Sequence, residues 1–172
     1  MSKKIVNSVV GLFGSLGTIP FIKEIIVFII SMCPILELRG GLIAASLLHL
    51  NPFVSYIVCF LGNVLPIPFI LWFISKILNW MRNSKKEKIK NIANWLDKKV
   101  DKNKSKIEKY GYLGLIAFVG IPLPGTGAWT GCLIASVLEM DKKKSLLAAI
   151  IGVFMASIIM MILSFGLLSN II

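Results

Sequence analysis

Two short stretches carry the residue types that could do chemistry in a chain otherwise dominated by apolar side chains. The first is Pro34-Ile35-Leu36-Glu37-Leu38-Arg39-Gly40-Gly41, where a carboxylate and a guanidinium sit inside an apolar region. An ionisable side chain at hydrocarbon depth costs roughly 2.5–3.5 kcal/mol on insertion scales unless paired or wetted, so the pair marks a candidate site. Arg39 offers a planar fork of donors suited to phosphate or carboxylate, and a desolvated Glu37 could take up a proton unless Arg39 holds it ionised. At i and i+2 the two do not share a helix face; in a loop they could pair or divide between two partners. The competing reading is a structural ion pair. The second stretch, Pro122-Leu123-Pro124-Gly125-Thr126-Gly127-Ala128-Trp129-Thr130-Gly131, has no charge. Its glycines and Thr126 can expose backbone N–H groups, and a helix starting near Ala128 would add the positive end of a dipole, which together make an anion cradle without a side-chain cation. Trp129 and Thr130 could line a cavity there; the competing reading is tight packing between hairpins. The candidate binding residues are thus Glu37, Arg39, Gly40 and Gly41 at one tip, and Pro124, Gly125, Thr126, Gly127, Trp129 and Thr130 at the other.

The elements that position these stretches belong to a membrane protein. The chain has 172 residues, of which 56% are hydrophobic, and a mean hydropathy of +0.84, above the apolar share of about 45–50% usual in soluble domains. The net charge of +11 is concentrated: of 19 Lys and Arg, twelve lie between Lys76 and Lys109 and three more are Lys142, Lys143 and Lys144. That is the pattern of cytoplasmic loops, not of a nucleic-acid surface, and nucleic acid is not an expected partner. Cys33, Cys59 and Cys132 stand alone in apolar runs without metal or redox spacing, and no metal or cofactor is expected.

Taken in order, residues 3–19 are either a weak transmembrane helix or an interfacial one, retained in the mature chain, and the alternatives stay open. The apolar run 25–36 is half the roughly 20 residues a helical span needs, and 42–50 is again too short. Two such halves joined by Pro, Gly and charge predict a re-entrant hairpin over 25–50. A single tilted helix over 25–48 is the competing reading, disfavoured because each of Gly40 and Gly41 weakens a helix interior by about 1 kcal/mol. Residues 52–80 predict a full crossing kinked at Pro66 and Pro68, with Trp72 and Trp80 near its exit. The stretch 81–109 predicts a basic amphipathic linker helix with an apolar stripe at Ile89, Ile92, Leu96 and Val100, lying on the cytoplasmic surface with Trp95 at headgroup level and anionic lipid as partner, or else a solvated linker. A second hairpin over 110–140 and a second crossing over 143–169 follow. The fold class expected is an all-α integral membrane protein in a single domain, 1–172.

Sliding the chain by 90 residues aligns 24–62 with 114–152 without a gap, and nine of about 39 positions are identical, among them Pro34 with Pro124, Gly41 with Gly131 and Gly62 with Gly152. Pro and Gly at equivalent tips point to a real repeat, 21–80 against 110–172. A hairpin returns to its side and one full span then crosses, so the repeats are expected to be inverted, their tips meeting near the midplane. The linker and Lys142–Lys144 then fall on one side, as positive-inside requires.

The Glu-x-Arg-Gly-Gly run at 37–41 and the Pro-x-Pro-Gly-Thr-Gly-Ala-Trp-x-Gly run at 122–131 resemble the marks of the small multidrug export family, over most of residues 25–165. That family is distantly similar to the DedA superfamily, whose members share paired re-entrant loops and include carriers of polyprenyl phosphate and other lipids. DedA proteins place arginines at the second tip, and this chain has none there. The resemblance implies a transporter of the plasma membrane, without saying what it carries.

The function expected is movement of an amphipathic, anionic, lipid-linked substrate of polyprenyl phosphate or phospholipid type across the bilayer, with proton or ion coupling open. Export of cationic drugs and a non-transporting assembly role are the alternatives. An enzyme is not expected, since the single His, His49, has no nucleophile or metal cluster with it. A homodimer would thicken the thin cavity walls of so short a chain.

Overall fold

The computed structural model describes residues 21–123 and 125–167. The segment 3–19, Pro124 and the end of the second crossing lie outside the described residues. Among the described residues all regular structure is helical: α1 (Ile22–Met32), α2 (Glu37–Leu47), α3 (Pro52–Val64), α4 (Pro66–Arg82), α5 (Glu87–Gly120), α6 (Ala128–Val137) and α7 (Lys142–Met161), which runs into a π-helical turn at Ile162–Leu167. The described residues form two compact units: one holds residues 21–65 with 153–167, the other lies within Pro66–Gly152.

The breaks have local causes. α1 stops at Met32 because Cys33 is extended (ψ 134°) ahead of Pro34, which disfavours a helical residue before it. This overturns the single helix over 25–48. α3 starts on Asn51, whose Oδ1 accepts from the amides of Phe53 (2.9 Å) and Val54 (3.3 Å), with Pro52 at its first turn, where a missing N–H costs nothing. Pro66 and Pro68 carry no N–H, so the carbonyls of Gly62 and Val64 lose their helical donors and the chain breaks at Leu65.

Joined across that break, Pro52–Arg82 is 31 residues long, and Lys142–Gly166 is 25; both are apolar and long enough to cross a membrane. Their surfaces support that reading. On α7 the large residues Leu147, Ile151, Phe154, Ile158 and Ile162 are exposed at helical spacing, whereas Ser145, Ala149, Gly152, Ala156 and Ser157 are buried. Mostly small residues inside, with Val153 and Met160 among them, and large apolar ones outside is the arrangement of a helix whose solvent is lipid, where close backbone approach adds to packing.

In the first unit α1 packs on α2 and α3, and α2 on α3 and the π-turn. Lys23 Nζ donates to the carbonyl of Leu48 (3.4 Å), closing the open end of the hairpin, and Ser46 Oγ donates to the carbonyl of Ser164 (2.7 Å). In the second unit α6 packs on α4 and α5, and Tyr112 Oη accepts from the amide of Asp141 (3.3 Å). Backbone features of the two hairpins match at positions 90 residues apart: positive φ at Phe21 (66°) and Gly111 (57°), at Glu37 (50°) and Gly127 (141°), and at His49 (54°) and Glu139 (54°).

The last pair ends α2 and α6 in the same way. Leu50 N–H reaches back to Ala45 (3.1 Å) and His49 N–H to Ser46 (3.1 Å); Met140 and Glu139 repeat this with Ala135 (3.0 Å) and Ser136 (3.3 Å). This doubly bonded C-cap places one residue in left-handed backbone, a position that ordinarily suits glycine. His49→Gly and Glu139→Gly are therefore each expected to stabilise the protein by about 0.5–1 kcal/mol, the left-handed penalty less the extra entropy of glycine in the unfolded chain, read as raised unfolding temperature in detergent.

One expectation is corrected on α5. Its basic part is helical, but the inward stripe runs through Ala93, Val100 and Ile107, with Ile89 and Leu96 half-buried, while Ile92 and Trp95 are more than half exposed. The cause is the heptad-like spacing 89, 93, 96, 100, 107, which keeps one narrow seam on the neighbouring helices and turns Ile92 out of it. Arg82 grips Asp97 through Nε (3.0 Å) and a terminal nitrogen (2.5 Å), holding this part of α5 against the end of α4. At Gly111 the backbone leaves helical geometry (φ 57°, ψ −131°), a conformation a side chain would resist, so α5 consists of two arms, the basic one before Gly111 and an apolar one from Tyr112 to Gly120.

Candidate functional site

The first tip is part helix. Only Cys33–Leu36 is irregular; Glu37, Arg39, Gly40 and Gly41 lie in α2, so the expectation that they form a loop is corrected. Packing overrides glycine's poor helix propensity here. A Cβ on Gly41 would lie 1.9 Å from Ser31 Oγ and 3.0 Å from Cys59 Sγ, and one on Gly40 would lie 2.6 Å from Leu36 Cβ. Gly41 therefore lets α2 approach α1 and α3 closely, while Gly40 leaves room for Leu36 at the start of its own helix.

Glu37 is 6% exposed and Arg39 is partly exposed. The carboxylate acts electrostatically on the guanidinium, though two residues apart on a helix they do not share a face. Glu37 opens α2 with a φ of 50°, a left-handed conformation costing of order 1–2 kcal/mol for a residue with a side chain. An acidic residue in a first helical turn is favourable to the dipole; a fork of cationic donors two residues on gives the same tip affinity for an anion.

At the second tip α6 begins at Ala128, where the sequence places it, and no side chain caps it. Gly125 (φ 84°) and Gly127 (φ 141°) turn the chain into that helix. Thr126 Oγ1 donates within its own loop, its contacts being the carbonyls of Leu123 (2.8 Å) and Ile121 (3.0 Å), so its hydroxyl braces the turn. Gly125 is exposed, Trp129 is partly exposed, and Thr130 is 4% exposed. Gly131 serves packing, since a Cβ there would meet Val119 at 2.8 Å and Leu115 at 3.0 Å. Pro124 lies outside the described residues. Within each unit the residues of one tip are brought together: Glu37, Arg39, Gly40 and Gly41 on the first turns of α2, and Gly125, Thr126, Gly127, Trp129 and Thr130 around the start of α6. Glu37 and Gly127, at matching positions, both begin a short helix, and charge stands on the first alone.

Some polar groups near the site were not anticipated from the chain. Ser31, fully buried, donates to the carbonyl of Val27 (2.8 Å) and lies against Gly41. Asn63, 2% exposed, has an Oδ1 without a hydrogen-bond partner among the described residues, beside the carbonyls freed by Pro66 and Pro68. An amide inside an apolar span next to two prolines was the available signal. Cys59 and Cys132 are buried, and none of Cys33, Cys59 and Cys132 is in a disulfide.

No curated protein and no solved structure matches the chain. A family model does, over residues 37–159, from Glu37 of the first tip through the whole second tip into the last long helix. With a match over more than half its length, this chain belongs to the family described as "Putative small multi-drug export protein".

Proposed function

We propose that this membrane protein is a transporter in which α1–α2 and the second arm of α5 with α6 are re-entrant hairpins of inverted orientation, carrying an amphipathic, anionic, lipid-linked substrate. The observation that carries the reading is the first tip: a partly exposed guanidinium on the opening turn of a short helix, beside a buried carboxylate. The helix end and the fork both attract phosphate. The start of α6, where Gly125 and Gly127 turn the chain into the helix, is a second surface of that kind built from backbone. Glu37 would carry a proton. Export of a cationic drug is the second reading, favoured by the family's description and by Glu37 as the one carboxylate at either tip.

In this topology the basic part of α5 and Lys142–Lys144 face the cytoplasm and residues 49–53 face outside. Single cysteines introduced at Lys85, Lys143 and Asn51 check it: a membrane-impermeant maleimide applied to intact cells should label position 51 alone. Labelling of position 85 from outside would defeat the inverted arrangement. Movement of a lipid phosphate, against that of a cationic dye, in vesicles reconstituted with the protein decides the substrate class.

A further inference from the structure

A groove of about 450 Å³ in the second unit is lined by residues of both arms of α5 and of the second tip. Its size is that of a site for a small molecule or a single lipid chain. Its lining is of two kinds. The basic arm contributes Lys109 and Ser105, with Lys109 Nζ seated 5.1 Å above the ring centre of Tyr110. Beyond the Gly111 bend it is lined by Ala117, Phe118, Ile121 and Leu123, with Thr126, and no carboxylate is among the described residues that line it.

The change from one chemistry to the other falls where the sequence passes from lysine-rich to apolar, at the Gly111 bend. Tyr110 stands there 61% exposed, the placement of an aromatic at a membrane–water boundary. From Tyr112 to Ile121, beyond the bend, the helix rises roughly 14 Å, close to the roughly 15 Å hydrocarbon depth of one leaflet. Ile121 and Leu123 are about half exposed, so the apolar end is open at its side rather than enclosed.

We infer that this groove holds one anionic phospholipid, its phosphate on Lys109 and Ser105 and an acyl chain lying over Ala117, Phe118, Ile121 and Leu123. The charge argues for the occupant: a cation and a hydroxyl at the polar end, within the most basic segment of the chain, select a negative headgroup over a zwitterionic one. Arg39 is not among the residues that line it. The site turns a diffuse attraction of the basic helix for anionic lipid into a seat for one molecule, in contact with Thr126 of the second tip.

The test uses the full chain in nanodiscs of phosphatidylcholine with about a tenth phosphatidylglycerol, released into the gas phase for native mass spectrometry, which counts retained lipids by headgroup. Wild type should retain one phosphatidylglycerol per chain in preference to phosphatidylcholine. Lys109→Gln should lower that preference roughly fivefold, the effect of one lysine near an anionic headgroup. Ala117→Trp, at an exposed position where a large side chain disturbs no packing, should displace the lipid whatever its headgroup. Lys85→Gln is the control for basic charge outside the groove. Equal retention of both lipids by wild type, no effect of Ala117→Trp, or a loss with Lys85→Gln as large as with Lys109→Gln would overturn the assignment, the last by showing a diffuse surface. Covering of the groove by another part of the chain would appear as no retained lipid in any variant, and overturns it equally.

Discussion

Replacing Arg39 by Gln is expected to slow movement of a lipid phosphate in reconstituted vesicles by roughly tenfold or more, the worth of a charge-assisted hydrogen-bonded contact. Arg39→Lys should fall between that and wild type, because it keeps the charge but loses the planar fork on the first turn of α2. Glu37→Gln should leave substrate binding largely in place and remove the pH dependence of transport, since the carboxylate is 6% exposed and its proposed task is to hold a proton. A cationic substrate predicts the reverse, with Glu37→Gln abolishing binding and Arg39→Gln tolerated. If both changes lower only the yield of folded protein and leave its activity intact, the two residues are a structural pair and the site assignment falls.

Gly41→Ala is expected to destabilise the first unit by about 2–3 kcal/mol, the usual scale for overpacking, because its methyl group would meet Ser31 Oγ at 1.9 Å and Cys59 Sγ at 3.0 Å. Ser31→Ala alone removes the hydrogen bond to Val27 and that with the Cys59 thiol, and should cost about 1–2 kcal/mol. Together they should cost less than the sum by more than about 1 kcal/mol, since the second change removes the atom with which the first collides. Unfolding in mixed micelles with increasing sodium dodecyl sulfate measures the cycle. Additivity within about 0.5 kcal/mol would show that Gly41 is not held by this contact.

Membrane class was legible in the chain because it depends on summed hydropathy and on where lysines fall, and neither needs a partner. So were the break between α1 and α2, the kink at Pro66 and the start of α6 at Ala128, because proline and glycine act through their own backbone. The first tip was legible as a place where charge needs explaining, but not as a helix. Propensity reads Gly40-Gly41 as a loop; Ser31 and Cys59, from α1 and α3, leave no room for a Cβ at Gly41, whereas Gly40 is crowded by Leu36 at the start of its own helix.

The remaining differences have the same origin. The apolar stripe on α5 is ambiguous by about one residue in sequence, and the neighbouring helices settle it on Ala93 and Val100. The groove at Lys109 joins residues from Ser105 to Thr126, across the Gly111 bend and the second tip, so no window of a few residues contains it. Residue type and order determined by themselves which segments are apolar, where the backbone must turn and where charge is costly, because those are properties of single residues and their immediate neighbours. Only the tertiary structure decided which glycines are packing contacts, which face of α5 is covered and which lysine ends a groove, because each depends on distances between atoms that the chain brings together by folding.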